Sequence, residues 1–526
     1  MKYTRDTQQK NKDKTKDKKD NKITKDTITK EIALGGMWNF LLTLSARIGS
    51  LFFIIIITRF LMPESYGIYI LAVSIALILL ISIDTGINQS LLRYVSEALH
   101  KKNKELAKAN FRYLLRLKIS ITLIVAVLLI ILAYPLSLYV FKKPALFLPL
   151  IVSGFYILVN SVGSFYSSYF YIIKKLGYLT VKQIIFEVIR ISGALVMFFV
   201  VAEQHHVIGT IGVITISMLL AVLYLRYHLK KIQPFIFEAT GKKEKEADRK
   251  RMISFSLYFG TIGSLLVIFG YVDIIIIGIF LDASYVGFYS VALALVIGIL
   301  GFLNLSQILL PLLTGMDDDK IQKEFNTILK YIAVLAVPAI FGILVLGNYF
   351  ILIYGPEYAP AVWPFYVLSL LILEIPLIDM ISPLFSAKER QQIILKGIIF
   401  STVLNIILNI IFIQLFMKIS LVMAIVGAAV ATVISQGVYL MILLYYAKRD
   451  YNIHLQFGFL VKPFIASVIM AIVLFAINSF FAAVPIFMVI IEIFLGAGIY
   501  FLIIFLIKGL GKEDLLLLND ILKKFF

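Results

Sequence analysis

The sequence predicts an all-α integral membrane protein with about fourteen transmembrane helices. Of its 526 residues, 60% are hydrophobic and 15% are charged, whereas soluble proteins average about 45–50% and about 25%. Apolar stretches of about 20 residues or more follow one another from residue 34 onward, which is the length a helix needs to cross a bilayer. They lack the period-2 alternation of β-barrel strands. The composition therefore excludes a soluble globular enzyme.

A lysine-rich polar segment, residues 1–33, precedes the first apolar stretch. Such a segment has too little apolar surface to offset the entropy of an ordered chain, so we predict a disordered cytoplasmic tail. It also lacks the apolar core of a secretory signal peptide.

Fourteen apolar segments are predicted to be helices and fall into two lobes. They lie near 35–60, 67–92, 119–141, 146–173, 179–202, 207–229, 254–281, 285–313, 328–354, 361–385, 391–416, 420–446, 459–481 and 485–507. The first six form an N-lobe (34–229), and a cytoplasmic linker (230–253) leads to a C-lobe of six helices (254–447). Residues 448–526 hold helices 13 and 14 and a cytoplasmic C-terminal tail.

A weak internal repeat supports this division. Gly67 and Tyr69 match Gly287 and Tyr289 when the sequence is shifted by 220 positions. An even number of helices separates the two copies, so the lobes are predicted to run parallel, as in transporters with two rocking halves.

Positive charge predicts the orientation of the chain. The 50 Lys and Arg residues exceed the 31 Asp and Glu residues and give a net charge of +19. Most of these basic residues lie in every second connection between predicted helices, on the same side of the membrane as the two termini. Loops rich in Lys and Arg stay on the cytoplasmic side. We therefore predict a multi-pass protein of the cytoplasmic membrane with cytoplasmic termini. The charge suits anionic lipid headgroups and not nucleic acid.

Four sequence blocks carry a resemblance to a known family. The stretch TRFLMPESYGIYILAVSIALILLISIDTGINQSLLRYVSE at 58–97 resembles the helix 1–2 signature of the prokaryotic polysaccharide-export family, which includes the O-antigen and oligosaccharide flippases. Segments 274–295, 353–370 and 403–436 agree with it. Met62 departs from the pattern, because the family usually has glycine there.

The resemblance implies a flippase, not an enzyme. Its substrate would be a lipid-linked oligosaccharide for cell-surface polysaccharide or glycoprotein assembly, moved by alternating access and passed to glycan-assembly enzymes. No cofactor or metal is expected, although coupling to a proton or sodium gradient is open. One alternative is a multidrug or cation exporter of the same superfamily, for which a central arginine would be unexpected. Another is a membrane polysaccharide polymerase or ligase, which would need a larger outer loop.

Arg47 is the first candidate for substrate binding. It lies near the middle of predicted helix 1, where a charge is costly and usually faces a cavity. A guanidinium there can hold a phosphate bidentately. The structural alternative is an ion pair with Asp84 or Asp273.

Other polar residues at membrane depth are further candidates. Glu187 and Arg190 are three residues apart on helix 5, so they line a cavity or neutralise each other. Asp84 and Asp273 are candidates for proton or sodium carriers or for arginine partners.

The C-lobe supplies two more polar pairs. Glu374 and Asp379 flank Pro376, where a proline-broken helix would free backbone carbonyls. Asn405 and Asn409 share a helix face and can bond to other helices or to sugar hydroxyls.

Overall fold

The computed structural model describes residues 3–238, 248–301, 318–479, 486–511 and 514. Within these ranges all regular structure is helical and no strand occurs. Large apolar side chains such as Phe199 and Phe494 are exposed around the outside of the bundle, as expected for a surface in contact with lipid. The all-helical membrane fold predicted from the sequence is confirmed.

Six α-helices make up the N-terminal half. They are α1 (Tyr3–Ser90), α2 (Ser96–His100), α3 (Lys104–Pro135), α4 (Phe147–Ile172), α5 (Leu176–Val200) and α6 (His206–Ile232). A π-helical turn, Leu91–Val95, joins α1 to α2. The backbone of α1 is helical from Tyr3 onward, where the sequence predicted a disordered tail.

Nine helices make up the remainder of the described chain. They are α7 (Arg249–Phe280), α8 (Ala283–Leu300), α9 (Asp318–Leu352), α10 (Val362–Leu368), α11 (Leu371–Ala387), α12 (Gln391–Met417), α13 (Leu421–Tyr451), α14 (Val461–Ser479) and α15 (Ile486–Leu506). Part of the predicted linker, 239–247, and most of the C-terminal tail lie outside the described residues.

Met62 divides α1 into two membrane-length parts. Its φ of 57° and ψ of 166° interrupt the helix between segment α1a (35–61) and segment α1b (63–90). An unbroken helix over the apolar range Gly35–His100 would be roughly 100 Å long, about three times the thickness of the apolar bilayer core. The kink therefore separates the two helices predicted at 35–60 and 67–92.

The predicted number of fourteen crossings is not confirmed. Eleven described helices are long and apolar enough to span a membrane, and two pairs bent by 44° raise the number to thirteen. One of the eleven, Gly35–His100, contains both α1a and α1b.

Two predicted helix limits change in the structure. Helix α3 begins at Lys104, so residues 104–118, taken from the sequence as part of a loop, are helical. The break predicted at Pro376 instead lies between α10 and α11, whose axes differ by 44°. Pro376 itself lies within α11, as does Pro383.

The two repeat glycines meet where α1b crosses α8. An ideal Cβ on Gly67 would lie 1.8 Å from the carbonyl oxygen of Ala283, and one on Gly287 would lie 2.4 Å from that of Pro63. Pro63 and Ala283 are themselves 220 positions apart. The contact is therefore reciprocal, as a two-fold relation between parallel repeats requires.

Helices α14 and α15 pack against α9. Tyr500 of α15 donates a hydrogen bond to the carbonyl of Val334 at 2.9 Å. A small separate apolar cluster, including Met470 and Leu474, joins the three helices. Their recorded packing is therefore mainly against α9.

Candidate functional site

The two ends of the bundle are called the Met62 end and the Ser90 end, after the residues at the two ends of segment α1b. The Met62 end holds the α3–α4, α5–α6, α7–α8 and α12–α13 connections, and the Ser90 end holds α2–α3, α4–α5 and α11–α12. The positive-inside pattern predicts that the Ser90 end is cytoplasmic.

Arg47 lies where the N-terminal half meets the C-terminal half. Nη1 of its guanidinium is buried and lies against Gly301 at the end of α8, where an ideal Cβ would be only 1.4 Å away. Any larger residue at this position would displace the guanidinium. Neither carboxylate suggested from the sequence pairs with Arg47, because Asp84 and Asp273 both bind other groups.

Asp84 forms a buried ion pair with Lys118 of α3. Nζ of Lys118 lies 3.0 Å from Oδ1 of Asp84 and donates to Asn88 and Ser164 at 2.7 Å and 2.8 Å. Ser161 of α4 donates to Oδ1 of Asp84 at 2.8 Å. The lysine is fully buried. The cluster therefore joins α1b, α3 and α4 with its charges compensated.

The sequence did not identify Lys118 because that residue borders an apolar run. It precedes Ile119 and was taken as the end of a basic loop. The earlier start of α3 places it on a helix face opposite the serines of α4. A lysine within one turn of an apolar segment, with an aspartate in the neighbouring segment, is the signal that could have indicated it.

Asp273 lies at the centre of a second buried polar cluster, in the C-lobe. Tyr289 of α8 and Thr432 of α13 donate to its Oδ2 at 2.7 Å and 2.6 Å. Asn409 of α12 donates to Oδ1 at 2.7 Å. The carboxylate is 3% exposed, so four helices share one acceptor. Tyr289 and Thr432 were not singled out from the sequence.

The two asparagines retain unused acceptors in this cluster. The side-chain oxygens of Asn405 and Asn409 are buried and have no hydrogen-bond partner in the part of the chain that the structure describes. Asn405 contacts Thr432 weakly, at 3.5 Å. The cluster thus contains two side-chain oxygens with unused lone pairs and one carboxylate, and oxygen is the ligand type that hard cations prefer.

Glu187 and Arg190 form the expected i, i+3 ion pair on α5. Gln183 donates to the other carboxylate oxygen at 2.8 Å. The guanidinium of Arg190 also lies over the ring of Phe53 in α1a, 4.2 Å from its centroid. These contacts hold α5 against α1a, and they lie within the N-lobe.

Glu374 and Asp379 lie on α11 and are half-buried. Oε2 of Glu374 is buried without a hydrogen bond to any described residue. Its Oε1 faces α13, where an ideal Cβ on Gly437 would be 3.4 Å away. The predicted site residues therefore do not converge on one cavity. Arg47 lies between the halves, whereas the others are divided between the interior of the N-lobe and the interior of the C-lobe.

Contacts between the halves close the Met62 end. Arg59 of α1a donates to the carbonyls of Ile353 and Leu352 at 3.0 Å and 3.1 Å. Lys143 donates to the carbonyl of Gly278 at 2.7 Å. Burial lowers the pKa of Lys143, and Asp282 opposes this effect.

The Ser90 end is also tied between the halves. The hydroxyls of Ser90 and Ser256 are 2.7 Å apart. Arg93, in the π-helical turn, lies over the ring of Phe255 at 4.7 Å. An ideal Cβ on Gly86 would lie 2.0 Å from the carbonyl oxygen of Ser256, so α1b and α7 are in backbone contact here.

Comparison with known proteins agrees with this architecture. Residues 32–317 match the family model described as "Polysaccharide biosynthesis protein". A structure of the lipid II flippase MurJ in an inward closed conformation aligns with a TM-score of 0.71 and 16% identity, covering 90% of this chain and 98% of that one.

A more distant fold match is an inward-facing multidrug resistance MATE family transporter of the MOP superfamily. Its TM-score is 0.52 at 14% identity, with 80% of this chain and 94% of that one covered. No curated protein sequence matches the chain. At these identities the solved structures establish the fold.

Proposed function

Because the chain belongs to the polysaccharide biosynthesis protein family, we propose that it is a flippase for a lipid-linked oligosaccharide. It would carry a polyprenyl-phosphate-linked glycan across the cytoplasmic membrane for surface polysaccharide or glycoprotein assembly. The observation that carries the proposal is the arginine between the two halves. Arg47 can pair with the carrier phosphate where a cavity opens when the halves separate.

The sugar and the lipid tail of the substrate need different surroundings during transport, and alternating access can provide both. The glycan and phosphate need a polar path, while the lipid tail remains in the bilayer. Closure at both ends by contacts between the halves supports a cycle in which one end opens at a time. We expect no bond to be broken, so the protein would not be an enzyme.

The two rival functions fit less well. An exporter of organic cations would gain from acidic groups and not from Arg47 between its halves. A polymerase or ligase needs a sizeable loop for acceptor and catalytic residues, whereas the described connections at the Met62 end are at most eleven residues long. The MATE-like fold alone does not favour export.

The experiment uses a cell whose own flippase has been deleted. Wild-type protein should restore surface glycan, and Arg47→Ala should abolish restoration at equal membrane abundance. Arg47→Lys should restore part of it, because it keeps the charge but loses the bidentate geometry. Arg226→Ala, an exposed arginine on α6, is the control. Full restoration by Arg47→Ala would disprove the phosphate role.

Coupling to an ion gradient would use the Asp273 cluster. A buried carboxylate that contacts two hydroxyl groups and an amide could take a proton, or a sodium ion if these side chains rotate their oxygens toward it. Collapsing the proton or the sodium gradient separately would identify the ion, and Asp273→Asn should remove the dependence. If transport by Asp273→Asn kept its ion dependence, this role would be wrong.

We propose cytoplasmic termini on the basis of the charge pattern. Single cysteines at Lys175 and Gln204, exposed at opposite ends of α5, can test this in a chain that has no cysteine of its own. An impermeant thiol reagent added outside should label position 204 only. Labelling of position 175 would reverse the orientation.

A further inference from the structure

A polar cavity lies inside the N-lobe, apart from Arg47. It has a volume of about 280 Å³ and lies between α1b, α4, α5 and α6. Its polar lining consists of Tyr69, Tyr156, Lys182, Gln183 and Arg190. The side supplied by α6 is apolar, with Ile211, Ile214 and Met218.

This cavity and Arg47 are on opposite faces of α1a. An ideal Cβ on Gly49 would lie 2.5 Å from the carboxyl carbon of Glu187, whereas Arg47 lies against Gly301 of α8. Residues two apart on a helix point about 200° from each other. Segment α1a therefore lies between Arg47 and the Glu187 face of α5, and the cavity is a site distinct from Arg47.

Two cationic groups that line the cavity have unused donors. Within the described part of the chain, Nζ of Lys182 makes no hydrogen bond, and its closest recorded contact is the ring of Phe186 at 6.0 Å. Nε of Arg190 is buried and also lacks a partner. A buried donor without an acceptor is costly, so a group that accepts from Nε of Arg190 would be stabilising, and the same group can accept from Nζ of the half-buried Lys182.

The charge balance shows what kind of acceptor fits. Lys182 and Arg190 carry two positive charges, and Glu187 carries the only carboxylate recorded beside them. One positive charge is left over inside the membrane, where an isolated charge is strongly disfavoured. Water would satisfy the hydrogen bonds but would leave this charge uncompensated.

We propose that the N-lobe cavity is a binding site for a small anion. Lys182 would supply the main charge, Nε of Arg190 one directed donor, and the tyrosine hydroxyls the remaining contacts. The anion could be a free inorganic ion or an acidic group of a sugar. Because Arg190 lies on Phe53 and Glu187 abuts Gly49, an anion here would brace α5 against α1a.

The test measures thermal unfolding of the full-length protein purified in detergent. Sodium gluconate is replaced in separate series by chloride, phosphate or glucuronate at constant ionic strength. At least one of these anions should raise the melting temperature along a saturating curve. Dependence on glucuronate alone would identify the sugar as the source, and dependence on chloride or phosphate would identify a free ion.

Lys182→Gln should weaken this response by about tenfold or more. This variant removes an ammonium group that makes no hydrogen bond to the described residues, so the protein should fold. Arg190 variants are less suitable because they would leave Glu187 without its ion-pair partner. Lys182→Arg should retain the response, as should the control Lys175→Gln on the exposed loop before α5.

Equilibrium binding of radioactive chloride or phosphate to the monodisperse fraction gives a second readout that does not depend on melting. The absence of a saturable shift and of binding in the wild type would overturn the proposal. An identical response in Lys182→Gln would overturn it as well. Arg47 variants should leave anion binding intact, so this result is separable from a failure of the flippase proposal.

Discussion

Two of the buried carboxylates have partners within their own lobe. Asp84 and Lys118 neutralise each other, and Asp273 is surrounded by neutral donors. A charge in a membrane that lacks such partners would be expelled or would disrupt the helix packing. These residues therefore hold the lobes together whether or not they also take part in transport.

Removal of one member of the Asp84–Lys118 pair should strongly destabilise the protein. Asp84→Asn or Lys118→Met leaves a buried charge without its counter-ion, which costs about 3–5 kcal/mol of stability. The double variant restores neutrality and should recover most of the loss. Thermal unfolding in detergent measures this. Equal losses in the single and double variants would show that the pair does not act as a unit.

Met62 carries backbone strain that glycine would relieve. Its φ of 57° is in a region where a side chain is disfavoured, and such positions cost about 1–3 kcal/mol. Met62→Gly should therefore raise the melting temperature, whereas Met62→Ala should not, because alanine keeps the Cβ. This conformation also explains why glycine is usual here in the family that the sequence resembles. A lower melting temperature for Met62→Gly than for the wild type would contradict the presence of strain at Met62.

At the level of helices, small residues set how closely the halves approach. Gly67 and Gly287 allow α1b and α8 to touch through their backbones, as small residues do in other membrane helix pairs. The sequence repeat indicated these glycines. Their reciprocal contact depends on the relative placement of two helices more than 200 residues apart in sequence.

Gly287→Ala should push α8 away from α1b. The added Cβ would overlap the carbonyl of Pro63, which cannot move as a flexible side chain could, and overpacking costs roughly 1–3 kcal/mol. Gly298→Ala is the matched control, because it lies on the same helix with open space around it. The two variants should differ in melting temperature, and equal values would show that the crossing can relax.

For the whole molecule, closure at the Ser90 end can be tested with a reversible crosslink. The native chain has no cysteine, and the hydroxyls of Ser90 and Ser256 are in contact. Oxidised Ser90→Cys/Ser256→Cys should trap this end closed and stop translocation, and a reductant should restore it.

The two single-cysteine variants are the controls and should remain active after oxidation. Full transport by the crosslinked protein would show that α1b and α7 need not separate at this end. The result bears on alternating access as a mechanism and not on which substrate is carried.

The sequence by itself determined the membrane fold, the approximate helix positions and the family. Hydropathy and charge patterns are local properties of each segment, so they can be interpreted without knowing which segments pack against it. The repeat also indicated which glycines correspond. The predicted sidedness and domain limits stay predictions.

Only the tertiary structure decided which charges meet. The sequence marked Arg47, Asp84 and Asp273 as unusual and offered a pair between them as the structural alternative. In the structure, Asp84 binds Lys118, and Asp273 binds Tyr289, Asn409 and Thr432. The sequence also could not show that α1a lies between Arg47 and the Glu187 face of α5. The physical reason is that pairing depends on which helix faces touch, and a run of apolar residues specifies burial in lipid without specifying a neighbour.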